Sequence, residues 1–266
     1  MQPLELELFS KTQFKSKLGR ILLQHVHGMR PASTPTATLM GGQPGSGKTT
    51  LHNIILESNP NTAIVVGDDY RELHPNFAAL NDVYGDSVPY TAQFAHQMTE
   101  ALIEELSRMG YNLAIEGTLR TTEVPLRTNA LLKSRGYSTQ LYVMAVSAEE
   151  SLAGTLRRYE EMKACGHTPR ATSKEYHDAV VSSLPDNLGL LYKEGAFDRI
   201  RVYRRDLQCV YDSVVNVGIN PADMMRDMLK SRELPLAARL TAAAISAAQQ
   251  NAAHIDTASK NKGRER

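Results

Sequence analysis

The chain has 266 residues, with 30 basic and 29 acidic side chains and a net charge of +1. Charge this even excludes the diffuse electrostatic grip of a nucleic-acid binder, and the length gives one main domain with a sizeable core. The two cysteines, Cys165 and Cys209, have neither metal-ligand nor redox spacing, which fits a reducing cytoplasm, and neither a membrane span nor the apolar core of a signal peptide is present.

Phe14, Leu18, Ile21, Leu22 and Val26 recur at helical spacing and predict a helix over residues 11–27, followed by a breaker-rich connection at 31–35. The apolar run 37–40 reads as a strand. It feeds residues 42–49, GQPGSGKT, a complete G-x-x-x-x-G-K-[ST] phosphate-binding loop. Gly42, Gly45 and Gly47 let the backbone curl with its N–H groups inward, Lys48 reaches the outer phosphates, and the Thr49 hydroxyl is the Mg²⁺ ligand of the pattern. The helix that Lys48 opens adds its positive N-terminal dipole. The implied ATP-binding set is Gly42, Gln43, Pro44, Gly45, Ser46, Gly47, Lys48, Thr49 and Thr50.

Residues 62–66 form a second buried strand that ends at Gly67, Asp68 and Asp69; residues 112–115 form a third, ending at Glu116, Gly117 and Thr118. A helix over 94–109, with Phe94, Met98, Leu102 and Leu106 in one stripe, stops at Gly110. Residues 140–146 and 199–203 supply two further strands. Strand and helix alternate, so the expected fold is α/β: a P-loop kinase-like parallel sheet with helices on both faces. Beyond about residue 220 the composition turns alanine-rich and then polar and basic, which predicts a helical appendage and a frayed tail.

Ligands in such sheets bind beyond the carboxyl ends of the strands, where the loop, Asp68 and Glu116 converge. Phosphoryl transfer needs a triphosphate cradle, Mg²⁺, a group that deprotonates the acceptor, and positive charge on the moving phosphoryl. Asp68 is placed to accept a hydroxyl proton, with a helix cap or turn aspartate as the alternative. Asp69, on an extended segment, points the other way and reads as a cap or surface charge. Glu116 either holds Mg²⁺ through water or anchors the following turn. Arg157 and Arg158, with Arg170 after the interruption at 166–169, match the lid arginines of small kinases, although most arginines are solvated surface residues. Glu100 lies opposite the apolar stripe of its helix and reads as exposed. The eight histidines lack metal-ligand spacing and read as surface or cap residues.

These motifs together are similar to the zeta toxins of bacterial epsilon/zeta toxin–antitoxin systems. The resemblance is carried by GGQPGSGKTTL, GDDYRELHPNF, PYTAQFAHQMTEALI, GYNLAIEGTLRTTEVP, LYVMAV, RRYEEM, PRATSKEYHD and SLPDNLGLLY, in the family's order. It implies ATP-dependent phosphorylation of UDP-N-acetylglucosamine at the 3′-hydroxyl of the sugar, which blocks peptidoglycan precursor synthesis. By matching position to motif, Lys48 and Thr49 become the ATP and Mg²⁺ residues and Asp68 the base. Glu100, Glu116, Thr118 and Arg120 line the UDP-sugar cleft, and Arg158 and Arg170 stabilise the migrating phosphoryl. A small helical epsilon-type antitoxin is the implied partner. Where one branch of the family has asparagine before the base this chain has Gly67, and Arg157 adds a charge beside Arg158. The expected organisation is an N-terminal helix and linker (1–35), a kinase core (36–213) and a C-terminal appendage with a basic tail (214–266). A small-metabolite or nucleotide kinase is the alternative within the same architecture, and a nucleotide-dependent switch the alternative from another class.

Overall fold

The computed structural model describes residues 3–166 and 168–230. The alanine-rich segment and the basic tail after residue 230, expected as helix and frayed end, lie outside the described residues. In chain order the elements are α1 (Pro3–Leu6), α2 (Lys11–Val26), β1 (Thr36–Gly41), α3 (Leu51–Ser58), β2 (Thr62–Val66), α4 (Phe77–Tyr84), α5 (Val88–Arg108), β3 (Asn112–Glu116), α6 (Glu123–Ser134), β4 (Ser138–Met144), α7 (Ala148–Ala164), α8 (Lys174–Lys193), β5 (Arg199–Tyr203), β6 (Cys209–Asp212) and α9 (Ala222–Lys230). Short 3₁₀ turns, Lys48–Thr50 and Gly67–Leu73, follow β1 and β2.

One sheet runs in the order β2-β3-β1-β4-β5-β6. Its first five strands are parallel, and β6 pairs antiparallel with β5 at the edge. The sheet is therefore mixed and not wholly parallel. The expectation missed β6 because only four residues follow a tight turn, in which Leu207 adopts φ +64°. The strand expected over 140–146 sits two residues earlier, since Ser138 already pairs with Thr36.

Side-chain alternation along the strands divides the core in two, as the period of 2 requires. Leu39, Leu113, Leu141 and Val143 face the larger cluster with α2, α5, α8 and α9, whereas Met40, Ala114, Tyr142 and Met144 face a smaller one with α3. Helix α5 carries the largest share of the first face. Phe94, Met98, Leu102 and Leu106 are fully buried in one stripe, and Gly110, at φ +78°, closes the helix with Tyr111 N donating to the Leu106 carbonyl at 3.1 Å. The helix begins six residues before the expected start, because Pro89 in its first turn loses no intrahelical hydrogen bond. Helix α9, in the segment expected as an appendage, buries Met225, Met228 and Leu229 against the core beside α8.

Strand β1 lies between β3 and β4, so the chain runs to one side of it through β2 and β3 and then to the other. The crevice at its carboxyl end is where such a sheet receives ligands.

Candidate active site

A cleft of about 710 Å³ opens at that point, within the range of small-molecule sites. Its floor is the phosphate loop. Gly45 has φ +74°, and a Cβ there would collide with the Ser151 carbonyl oxygen and meet Thr155 N at 2.7 Å; a Cβ on Gly154 would in turn come within 2.5 Å of Gly45 O. The backbones of loop and α7 thus lie directly on each other, which glycine at both positions permits. Gln43 is fully buried and donates through Nε2 to the Val146 carbonyl at 2.5 Å and to Ser151 Oγ at 3.2 Å. Lys48 folds back onto its loop, with Nζ donating to Gly42 O at 2.9 Å and Gln43 O at 3.1 Å. Burial pulls its pKa below the ordinary value; Glu116 and Asp68 pull it up, and Arg158 pushes it further down.

The first wall is the 3₁₀ turn after β2. Its N-cap is Val66, not Asp68, and no side chain caps it. The Asp68 carboxylate instead accepts from Arg71 Nε at 2.9 Å and remains about half exposed to the cleft. Partial desolvation raises its pKa, but the Arg71 hydrogen bond and charge, with Arg170 and Arg158, outweigh this and hold Asp68 below the usual carboxylate range. Asp69 is not on an extended segment as expected. The turn brings its carboxylate to 3.7 Å from Arg170, where desolvation outweighs that arginine and raises its pKa.

Glu116 ends β3 across from Lys48. Burial opposes its ionisation, yet His52 at 3.4 Å and the Lys48 ammonium lower its pKa. The chain then turns through Gly117, Thr118 and Leu119, and Leu119 adopts φ +57°. Asn187 of α8 holds this turn by donating to the Leu119 and Arg120 carbonyls at 2.9 and 2.8 Å. Arg120 stacks its guanidinium 5.3 Å from the centre of the Tyr176 ring, a cation–π contact on the rim of the cleft.

The remaining positive charge comes from α7 and the segment leading to α8. Arg158 lines the cleft one helical turn beyond Gly154 on the same face of α7. Arg170 donates through Nη1 to the Asp68 carbonyl at 2.7 Å, while its Nε is buried without a hydrogen-bond partner.

The structure therefore brings Lys48, Asp68, Glu116, Thr118, Arg158 and Arg170 around one cleft. Thr49 is exposed at the loop's end, outside that lining. Glu100 is not in the lining either. It is exposed, as its helix face predicted, and paired with Arg127 and with His96, which does line the cleft. Three histidines depart from the surface reading: His52, His74 and His177 are buried, the last fully, with Ser151 Oγ at 2.8 Å from its Nε2. Sequence reasoning also passed over Arg71 and Arg205. Arg205 donates to the Gly45 carbonyl and lies 3.3 Å from Glu150. Its place immediately after β5, at the sheet's carboxyl edge, was the available signal.

The family model described as Zeta toxin matches residues 22–216. "Toxin zeta" of Streptococcus pyogenes is 43% identical over 227 residues, covering 84% of this chain and 79% of the relative. "Toxin PezT" of Streptococcus pneumoniae serotype 4 is 43% identical over 229 residues, covering 85% and 90%. A solved structure from the PezAT chromosomal toxin–antitoxin system of Streptococcus pneumoniae superposes with a TM-score of 0.78 at 39% identity, covering 89% of this chain and 94% of that one. An AvrRxo1-ORF1:AvrRxo1-ORF2 structure, at 13% identity and a TM-score of 0.53, shares the fold alone. With a family match over most of its length and a phosphate loop at the floor of a charged cleft, this chain belongs to the zeta toxin family and has its P-loop kinase-like fold.

Proposed function

We propose that the protein is the toxin of a toxin–antitoxin pair and phosphorylates the 3′-hydroxyl of UDP-N-acetylglucosamine, or a related UDP-sugar, at the expense of ATP. The observation that carries this reading is the placement of Asp68. It lines the same cleft as Lys48, close enough for the two charges to interact, and the lining continues past it to Val88, Pro89 and Tyr176. An acceptor needs that further part of the cleft, whereas a hydrolytic switch does not.

In this mechanism the loop amides and Lys48 hold the triphosphate, with Lys48 exchanging its two carbonyl acceptors for phosphate oxygens. Asp68, ionised across the neutral range because of its arginine neighbours, takes the proton of the acceptor hydroxyl. The hydroxyl oxygen bonds to the γ-phosphorus as the bond to the β–γ bridging oxygen breaks, releasing ADP. Arg158 and Arg170 neutralise the charge on the moving phosphoryl. Glu116, Thr118 and Arg120 orient the acceptor.

Among the described residues no three His, Cys, Asp or Glu side chains are arranged to hold a metal by themselves. Mg²⁺ does not require such a cluster, since it binds with phosphate oxygens and water and one or two protein oxygens. Thr49 would offer its exposed hydroxyl and Glu116 a buried carboxylate whose Oε2 lies 3.4 Å from His52 Nε2, so the residues present fit the ion. Held by these residues, Mg²⁺ would supply charge neutralisation for the triphosphate.

Residues 36–213 are the catalytic core in this reading, and the cytoplasm, where sugar nucleotides are made, is its place. A small helical antitoxin that obstructs the ATP site is the proposed partner, supported by the toxin–antitoxin system to which the solved relative belongs. The test is incubation of the protein with ATP, Mg²⁺ and a panel of UDP-sugars, each followed by mass spectrometry for one added phosphate, with Asp68→Asn as control. Phosphate on UDP-N-acetylglucosamine that disappears in the variant supports the reading. Unmodified sugars with continued ATP hydrolysis overturn it in favour of another acceptor or a switch.

A further inference from the structure

Asp68 is the proposed base, and one of its oxygens is already taken. The turn that carries it is 3₁₀, with three residues per turn, so side chains three apart stack on each other. Asp68 and Arg71 are such a pair. Arg71 Nε donates to Asp68 Oδ1 at 2.9 Å, and Nη1 of the same guanidinium donates to the Val88 carbonyl at 2.8 Å and lies 3.5 Å from Thr91 Oγ. Val88 and Thr91 belong to the first turn of α5, the long amphipathic helix whose N-terminal part lines the cleft. Arg71 is largely buried, with 17% of its side chain exposed against 55% for Asp68.

Resting on the reading of Asp68 as base, we propose that Arg71 is a positioning residue for acceptor deprotonation: it pins one carboxylate oxygen of Asp68 to the start of α5 and leaves the other facing the acceptor hydroxyl. The hydroxyl proton passes to that second oxygen as the hydroxyl oxygen bonds to the γ-phosphorus and ADP leaves. Two donors of one planar fork are used at once, in two directions. A lysine ammonium carries the charge without that fixed geometry, so the two residues are not interchangeable here.

Arg71 also sets the pH range in which Asp68 works. The charged and titratable groups around Asp68 are Arg71 and Asp69 on its own turn, Lys48 of the loop, Glu116 of β3, Arg158 of α7, Arg170 before α8, and Asp86 and His96 lining the cleft on and before α5. Arg71 contributes most among those that favour the carboxylate, and desolvation opposes it. Without Arg71 the carboxyl keeps its desolvation and loses its main partner. Its pKa rises, and the acid limb of the rate profile moves to higher pH.

The test compares full-length wild type, Arg71→Gln and Arg71→Lys in initial-rate assays with ATP and UDP-N-acetylglucosamine across the acid and neutral range, with ATP KM measured separately. For Arg71→Gln the plateau kcat is expected to fall about 10- to 100-fold, the loss associated with a catalytic group displaced by about an ångström. ATP KM stays within about twofold, by the same argument that binding of ATP does not use Arg71. The acid limb moves upward. For Arg71→Lys the limb returns toward the wild-type position while kcat recovers only in part. Arg71→Gln with wild-type kcat and an unmoved acid limb overturns the proposal, as does a change confined to ATP KM. Should Arg71→Gln fail to fold, Arg71→Lys decides, because an undiminished kcat in that variant removes the positioning role. Asp68→Asn separates the two claims: if it retains transfer, the base reading itself fails; if it is inactive while Arg71→Gln is normal, only the role of Arg71 fails.

Discussion

Arg170 donates to the main-chain carbonyl of Asp68 at 2.7 Å, joining residues 102 apart in sequence across the mouth of the cleft. The proposed phosphoryl clamp and the proposed base are thereby held in register by the backbone of one and the side chain of the other. Arg170→Ala is expected to lower kcat by about 10²- to 10³-fold, the range for losing one preorganised electrostatic donor. ATP KM changes little. Steady-state kinetics decide: a defect confined to ATP KM excludes Arg170 from the transferring phosphoryl.

Glu116 makes the stability depend on pH. Its folded pKa lies below the unfolded value because His52 and Lys48 outweigh burial. A carboxyl lowered in this way stabilises the fold above its unfolded pKa, and the contribution is lost as pH falls through the folded one. Glu116→Gln should therefore melt below wild type at pH 7, with the gap closing in the acid range. Thermal melts of both proteins from neutral to acid pH provide the check, and a gap that does not narrow rules the linkage out.

The contact between Gly45 and α7 leaves no room for a methyl group. Gly45→Ala combines a strained positive φ with a collision against the Ser151 backbone. About 1–3 kcal/mol of destabilisation follows from the dihedral alone. Nucleotide affinity should fall as well, since the loop cannot close on α7. Calorimetric titration with ATP and a denaturant melt test both parts, and wild-type behaviour in either contradicts the packing described.

Asn187 is not part of the cleft lining, but it holds the turn that presents Thr118 and Arg120. Asn187→Ala leaves two carbonyls without their donor, a cost of about 1–3 kcal/mol for buried groups and less at this partly exposed site. Acceptor KM should rise several-fold with ATP KM unchanged. Equal changes in both would place the effect on the whole fold.

Much of this architecture was legible in the chain. The loop and the strand ends at Asp68 and Glu116 follow from short-range patterns, apolar runs closed by glycine or by charge, and such patterns survive folding because burial on both faces enforces them. The strand β6 was not legible, since four residues carry too little periodicity. The start of α5 was hidden because Pro89 reads as a breaker although it sits in the first turn. Arg71 and His177 escaped for another reason. Their positions acquire meaning only through partners brought close by tertiary packing, Val88 in one case and Ser151 in the other. For Glu100 the helix face was enough to give its surroundings, an exposed pair with Arg127.

Helix α7 touches the phosphate loop at Gly154 and presents Arg158 four residues later, about 6 Å further along its axis. Those two points are fixed to one rigid rod. The spacing between the phosphate cradle and the proposed phosphoryl clamp is therefore set by a single turn of helix, and a shift of the loop against α7 changes it directly.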